Sequence, residues 1–156
     1  MSPASPLIIR PARRGDLRDL IALFADDVLG GHGDTLAAEA FPAYVAAFER
    51  ISASPVEALY VAEQDGVIVG TFQTTLTTTL TGRGSSAMIL EAVQVRADRR
   101  GQRIGEAMVA EAERLARKAG AATLRLTSNA ARADAHRFYE RLGFARSHLG
   151  FKRALK

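Results

Sequence analysis

Three β-favouring runs follow one another with no helical pattern between them. They are Glu57 to Glu63, Val67 to Phe72 extended by a Thr-rich stretch from Thr74 to Thr81, and Ala87 to Val95. Asp65-Gly66 separates the first two, and that dipeptide between apolar runs signals a tight hairpin turn. Gly82-Arg83-Gly84-Ser85-Ser86 makes the next loop. Consecutive strands joined by short turns pair antiparallel, so these three form the middle of a sheet. A doubly wound nucleotide-binding fold is excluded, because there strands and helices alternate throughout.

Helical patterns flank this block on both sides. Leu7-Ile8-Ile9-Arg10 reads as a short strand closed by Pro11. Asp16 then opens a helix with Leu17, Leu20, Ile21 and Phe24 on one face. Gly30-Gly31-His32-Gly33-Asp34 interrupts that pattern, and a second helical stretch from Leu36 to Arg50 is expected to bend near Pro42. Beyond the three strands comes a helix from Ile104 to Ala119, ended by Gly120 in the C′ position. A strand from Ala122 to Thr127, a helix from Ala131 to Leu142 and a final extended segment from Phe144 to Leu155 complete the chain. The order β-α-α-β-β-β-α-β-α-β has neither linker nor internal repeat. It predicts a mixed α/β sheet flanked by helices, in a single domain over residues 1–156.

At 156 residues, 47% of them apolar, the chain is long enough to bury one sizeable core. No apolar run approaches the roughly 18 residues that suggest a membrane span. Met1-Ser2-Pro3-Ala4-Ser5-Pro6 lacks the basic-then-apolar layout of a secretory signal, so a cytoplasmic location is expected. Without cysteine there are no disulfides, no thiolate metal sites and no cysteine nucleophile. His32, His136 and His148 are remote from one another in sequence and no HExxH spacing exists, so no metal is expected. The net charge of +4 suggests an anionic ligand. Nucleic acid is not expected, because acids are interleaved with the bases and aromatic residues make up 6% of the chain with no stacking pattern.

The segment Arg96-Ala97-Asp98-Arg99-Arg100-Gly101-Gln102-Arg103-Ile104-Gly105-Glu106 joins an apolar strand to an amphipathic helix. A helix N-terminus offers unsatisfied backbone N–H groups and the positive end of the dipole. Gly101 and Gly105 permit close backbone approach, and four arginines in eight residues supply charge for a phosphate. A solvated basic turn that merely connects two elements is the competing reading. Neither GxxxxGK[ST] nor GxGxxG after a strand is present, which disfavours ATP, GTP and NAD.

The second dense segment is Asp134-Ala135-His136-Arg137-Phe138-Tyr139-Glu140-Arg141-Leu142-Gly143-Phe144. Ala135, Phe138 and Leu142 make a core-facing stripe with Tyr139 beside it. Its ring can pack while its hydroxyl reaches a cleft, or it is a half-buried structural tyrosine.

Together the two segments resemble the GCN5-related N-acetyltransferase (GNAT) superfamily. The cofactor loop of that family, [QR]-x-x-G-x-[GA], is matched by Arg100-Gly101-Gln102-Arg103-Ile104-Gly105, preceded by the strand Glu91-Ala92-Val93-Gln94-Val95. The later F-Y-x-x-x-G-F pattern is intact from Phe138 to Phe144, and Ile9-Arg10-Pro11-Ala12 with Asp16-Leu17 resembles the family's opening strand and helix. Arg103 stands where the first motif glycine usually lies. Its backbone N–H stays available unless the position needs a positive φ, and tolerance is expected. Arg132 stands where the family often has an asparagine, and the nearest asparagine is Asn129. Arg132-x-Asp134-Ala135-His136-Arg137-Phe138-Tyr139, continued by Ser147-His148 and Phe151, is also similar to aminoalkylphosphonate N-acetyltransferases.

The resemblance implies a GNAT fold, with a central, mostly antiparallel twisted sheet flanked by about four helices. It implies acetyl transfer from acetyl-CoA, as co-substrate, to a primary amine of a small molecule by direct attack in a ternary complex. Cofactor contacts would come from Val93, Gln94, Val95, Arg100, Gly101, Gln102, Arg103, Ile104, Gly105, Glu106, Asn129 and Arg132. The family's bulge in this strand would let the pantetheine arm pair like an added strand. A free backbone N–H around Val93 to Val95 would then meet the developing oxyanion.

An alkylamine with a pKa of about 10 is mostly ammonium at neutral pH and must lose a proton before it attacks. Glu91 is the candidate acceptor for that proton, directly or through water. Strand alternation places it on a face with Ile89, Val93 and Val95, an unusual setting for an acid unless it has a task or an arginine partner. Tyr139 would donate a hydrogen bond to the departing sulfur. Asp26 and Asp27 fall where the family's acceptor-binding region lies, and they either bind an ammonium or cap a bend. Two alternatives stand beside the small-molecule enzyme: a protein or peptide N-acetyltransferase, and a non-catalytic acyl-CoA-binding sensor. Family members often dimerise through their C-terminal strands, so a homodimer is a further expectation.

Overall fold

The computed structural model describes residues 3, 5–27 and 32–156. Two compact units divide the chain, Met1–Leu126 and Thr127–Lys156. The first holds a five-stranded sheet in the order β1-β2-β3-β4-β5. Its strands are β1 (Ile8–Pro11), β2 (Glu57–Gln64), β3 (Val67–Thr78), β4 (Ser86–Val95) and β5 (Thr123–Arg125). β1 to β4 pair antiparallel with their neighbours, and β5 joins β4 in parallel. The helical elements of this unit are α1 (Leu17–Ala25), α2 (Phe41–Ala53), α3 (Thr81–Gly84), a single turn in which Gly82 and Arg83 take left-handed φ of 63° and 62°, and α4 (Ile104–Lys118). The second unit contains α5 (Ala133–Arg141).

The mostly antiparallel mixed sheet agrees with the sequence expectation. Asp65 and Gly66 both take positive φ, 55° and 74°, as the tight hairpin requires. The Thr-rich stretch continues β3 without interruption as far as Thr78. Gly120 closes α4 with φ 77°. Pro42 does not bend a helix. It occupies the first turn of α2, where its missing N–H would have no intrahelical partner, and the preceding turn Ala38–Ala40 is 3-10. The glycine break expected at 30–34 falls partly outside the described residues. The last segment also differs. Residues 144–156 form no strand, and Leu149, Phe151 and Leu155 are exposed, because an extended segment becomes a strand only where it has a ladder partner.

The sheet is covered on both faces. On one, Leu17, Leu20 and Leu23 of α1 pack with Val61 and Ile68, and Phe41, Val45 and Phe48 of α2, together with Leu59, pack against that cluster. On the other lies α4, which buries Ile104, Met108, Val109, Ala112 and Ala116 along one stripe. At Gly70 a Cβ would stand 2.9 Å from the Met108 sulfur and 3.1 Å from the Gln94 carbonyl oxygen, so the Met108 side chain lies directly against a position that glycine leaves bare. Phe72, fully buried, stacks on Tyr60 with ring centroids 5.0 Å apart. Thr71, also fully buried, satisfies its hydroxyl by donating to the Tyr60 carbonyl at 2.7 Å.

Candidate active site

The site begins with an irregularity in β4. Gln73 pairs with Glu91 and Thr71 pairs with Gln94, so Phe72 alone opposes both Ala92 and Val93. This is a β-bulge, and Ala92 adopts φ 51° to make it. The extra residue reverses the alternation downstream. Glu91 and Gln94 therefore share the face covered by α1 and α2. Val95, opposite Gly70, points with Val93 toward α4. The expected grouping of Glu91 with Val93 and Val95 is corrected by this one inserted residue, while its grouping with Ile89 stands. Glu91 is exposed, and among the described residues it makes no ion pair, which removes the arginine-paired reading of this acid.

β5 pairs only with Ala87, Met88 and Ile89. From Leu90 onward, that edge of β4 has no strand neighbour among the described residues, so its N–H and C=O groups face an open edge. The bulge therefore lies on a strand with one free ladder. An extended ligand segment can add to such an edge by main-chain hydrogen bonds.

β4 leads through the turn Ala97–Arg99 into the N-terminus of α4. No side chain caps that end, and the first N–H groups of a helix have no intrahelical acceptor. Two of the four arginines are engaged by the protein. Arg96 holds Asp98 at 2.6 and 2.8 Å, and Arg99 donates to Gln64 at 3.1 Å. Arg100 and Arg103 are exposed and form no ion pair among the described residues, leaving two cations beside the uncapped helix end.

Arg103 takes the N-cap position with φ 63° and ψ 20°. The position does require a left-handed backbone, contrary to the condition under which an arginine was expected to be harmless. A non-glycine residue there costs about 1–2 kcal/mol. Arg103 carries that strain in a conformation that glycine adopts freely.

In the second unit Tyr139 is half-buried, with Phe138 and Phe144 edge-on at 5.1 and 5.7 Å. Burial pushes its phenol up from the ordinary tyrosine value, and the charge of Arg132 acts weakly the other way. The ring is fixed by packing, while among the described residues its hydroxyl makes no hydrogen bond. Asn129 serves the turn before α5. Its side chain accepts from the Ala131 N–H at 2.9 Å, its carbonyl accepts from the Arg132 N–H at 2.9 Å, and that same carbonyl lies 2.8 Å from His136 Nε2. Arg132 is the N-cap residue of α5. His148 Nδ1 lies 2.7 Å from the Ser147 hydroxyl.

Asp26 and Asp27 diverge. Asp26 lines a groove of about 370 Å³ with Asp19 and Arg96, whereas Asp27 accepts from the Gln94 side-chain amide at 2.6 Å. Sequence reasoning flagged Asp27 and Gln94 separately, for different tasks, and gave no sign that they meet across 67 positions. The bulge that turns Gln94 toward α1 leaves no local signal, since Ala92 is not a residue that advertises positive φ.

The arrangement has counterparts. Residues 20–144 match the acetyltransferase (GNAT) family. A 56-residue stretch, 36% of this chain, is 52% identical to an aminoalkylphosphonate N-acetyltransferase of Salmonella typhimurium, and that stretch spans 36% of the relative's own length. A solved structure described as a transcriptional regulator from Bacillus halodurans is 38% identical, with TM-score 0.92 over 96% of this chain and 100% of that one. Another, a putative acetyltransferase from Agrobacterium tumefaciens, is 28% identical with TM-score 0.82 over 94% and 99% of the two chains. With its bulged, half-free strand running into an uncapped helix and a family match over residues 20–144, the chain belongs to the GNAT acetyltransferase family.

Proposed function

We propose that this protein is an acetyl-CoA-dependent N-acetyltransferase acting on a primary amine of a small molecule, by direct attack within a ternary complex. The observation that carries the reading is the free edge of β4 ending at the uncapped, arginine-flanked N-terminus of α4. The family match extends from residue 20 to residue 144, across the boundary between the two units, and supports reading residues 1–156 as one catalytic domain. The similarity to the Salmonella aminoalkylphosphonate enzyme supports a small amine as acceptor.

Acetyl-CoA supplies an activated thioester. The α4 N-terminus from Gly101 to Glu106, with Arg100 and Arg103, suits its pyrophosphate, since unpaired N–H groups and two unengaged cations converge there. The β4 edge at Val93, Gln94 and Val95 suits an extended amide-bearing arm, and one of its N–H groups stabilises charge developing on the carbonyl oxygen. Glu91 takes the proton from the attacking ammonium, directly or through a water. Tyr139 stays protonated because burial raises its pKa, and donates a hydrogen bond to the leaving sulfur. The C–N bond forms and the C–S bond breaks. The ammonium's first proton goes to Glu91 before attack. Its second leaves the nitrogen as the tetrahedral intermediate collapses and is taken up by the departing thiolate, giving the amide and the CoA thiol.

A second reading, acyl-CoA binding without turnover, is favoured by the description of the Bacillus halodurans relative as a transcriptional regulator. The exposed Leu149, Phe151 and Leu155 support association of two copies through the C-terminal segment. Thiol release from acetyl-CoA across a panel of aminoalkylphosphonates, polyamines, amino acids, aminoglycosides and peptides tests the proposal. Release with one small amine class, lowered about 10- to 100-fold in Tyr139→Phe, is expected. Release with peptides alone would move the activity to protein acetylation. Acetyl-CoA binding with no release would favour the second reading.

A further inference from the structure

Gln94 sits at an unusual junction. Without the bulge at Ala92, strand alternation would turn its side chain toward α4. With it, the side chain lies on the α1 face, next along that face from Glu91 at about 6–7 Å of strand rise. There its amide donates to Asp27 at 2.6 Å, two residues beyond the end of α1. Asp27 opens the connection between α1 and α2. The contact links this connection to the strand whose other edge is free and whose end leads to α4.

The geometry of proton transfer defines the side from which an acceptor arrives. If Glu91 removes the ammonium proton, the amine lies on the face of the sheet that Glu91 occupies, which is the α1 and α2 face. Along β4, Gln94 is the next residue on that face after Glu91, and Asp27 is the group its side chain holds. We propose that Gln94 is a positioning residue: through Asp27 it fixes the start of the α1–α2 connection against the bulged strand, and so shapes the approach of the amine to Glu91. The proposal rests on the reading of Glu91 given above. It assigns the Gln94 side chain to the acceptor side and leaves only its backbone for the cofactor.

Wild type, Gln94→Ala, Asp27→Ala and the double variant are compared by steady-state kinetics, using the amine that supports release, and by hydrogen exchange over residues 20–27. The amine KM is expected to rise about three- to tenfold in each single variant. The kcat and the acetyl-CoA KM stay within about twofold, and the double variant is no worse than the poorer single one. Gln94→Glu, which sets two carboxylates against each other, raises the amine KM further. An unchanged amine KM overturns the proposal, as does an equal loss in kcat and both KM values or effects that multiply in the double variant. If wild type releases no thiol with any amine, the reading of function fails and hydrogen exchange decides this inference alone. Faster exchange at residues 24–27 in Gln94→Ala upholds the tie, and identical exchange overturns it.

Discussion

Arg10 of β1 holds Asp16 through two parallel hydrogen bonds, from its two terminal nitrogens to the two carboxylate oxygens at 2.8 and 3.0 Å. The same guanidinium reaches Glu63 on β2 at 2.8 Å, and Asp16 also accepts from the Arg13 N–H at 2.7 Å. Both partners of the fork are largely buried, with 17% and 12% of their side chains exposed. One arginine thus fastens the turn into α1 to the first two strands, which fixes where α1 crosses the sheet.

That fork makes stability depend on acid. The Arg10 hydrogen bonds hold the Asp16 carboxyl below its ordinary value, and the Arg13 N–H adds to the effect. A carboxyl lowered in the folded state stabilises above its unfolded pKa of about 4 and loses that contribution as pH falls toward the folded value. Wild type is therefore expected to lose stability below about pH 4 more steeply than Arg10→Met. At neutral pH that variant is expected to be less stable by about 3 kcal/mol, because it leaves Asp16 largely buried without its cation. Denaturant titrations at several pH values check both. Parallel stability–pH curves for the two proteins would contradict it.

Removing the carboxylate of Glu91 isolates proton removal. Glu91→Gln is expected to lower kcat/KM at neutral pH by about two orders of magnitude or more. The deficit should shrink as the pH approaches the amine's own pKa of about 10, where the neutral amine no longer needs a base. A pH profile of both proteins measures this, and a deficit constant with pH would assign Glu91 to binding alone.

For Tyr139 the two observables are separable. Tyr139→Phe is expected to reduce kcat about 10- to 100-fold while acetyl-CoA affinity stays within about twofold, since only the leaving sulfur loses a donor. Burial raises this phenol, so deprotonation cannot switch the donor off below its ordinary value of about 10. Any alkaline decline of kcat below that pH would have to come from another group. Unchanged turnover in the phenylalanine variant would end the proposed role.

Strain and charge coincide at Arg103 and are divided by two substitutions. Arg103→Gly removes the cost of φ 63° and the cation together, whereas Arg103→Ala removes the cation and keeps the strain. Both are expected to weaken acetyl-CoA binding about tenfold. Only the glycine variant gains thermal stability, by about 2 °C after the entropy cost of glycine is set against the relief. Calorimetric titration and thermal melts distinguish the two effects. Equal melting temperatures for Gly and Ala would show that the relief of strain does no more than offset glycine's entropy cost, and a lower one for Gly would show that the position bears little strain.

What the sequence determined on its own was local in origin. Alternating and 3.6-residue periodicities marked the strands and helices, Asp65-Gly66 marked its turn, and the arginine–glycine run marked the start of α4. Each depends on neighbours within a few residues, so each is written in a short window. The tertiary structure decided which way the site faces. A single inserted residue at Ala92 turns Gln94 toward Asp27 and separates Glu91 from Val93 and Val95, because side-chain alternation has a period of two and one extra residue inverts everything after it. The left-handed backbone at Arg103 follows in the same way from how β4 must turn to place α4 on the sheet. Pairing across 67 positions and the sign of φ at an arginine are set by the packed whole. No run of neighbouring residues encodes them.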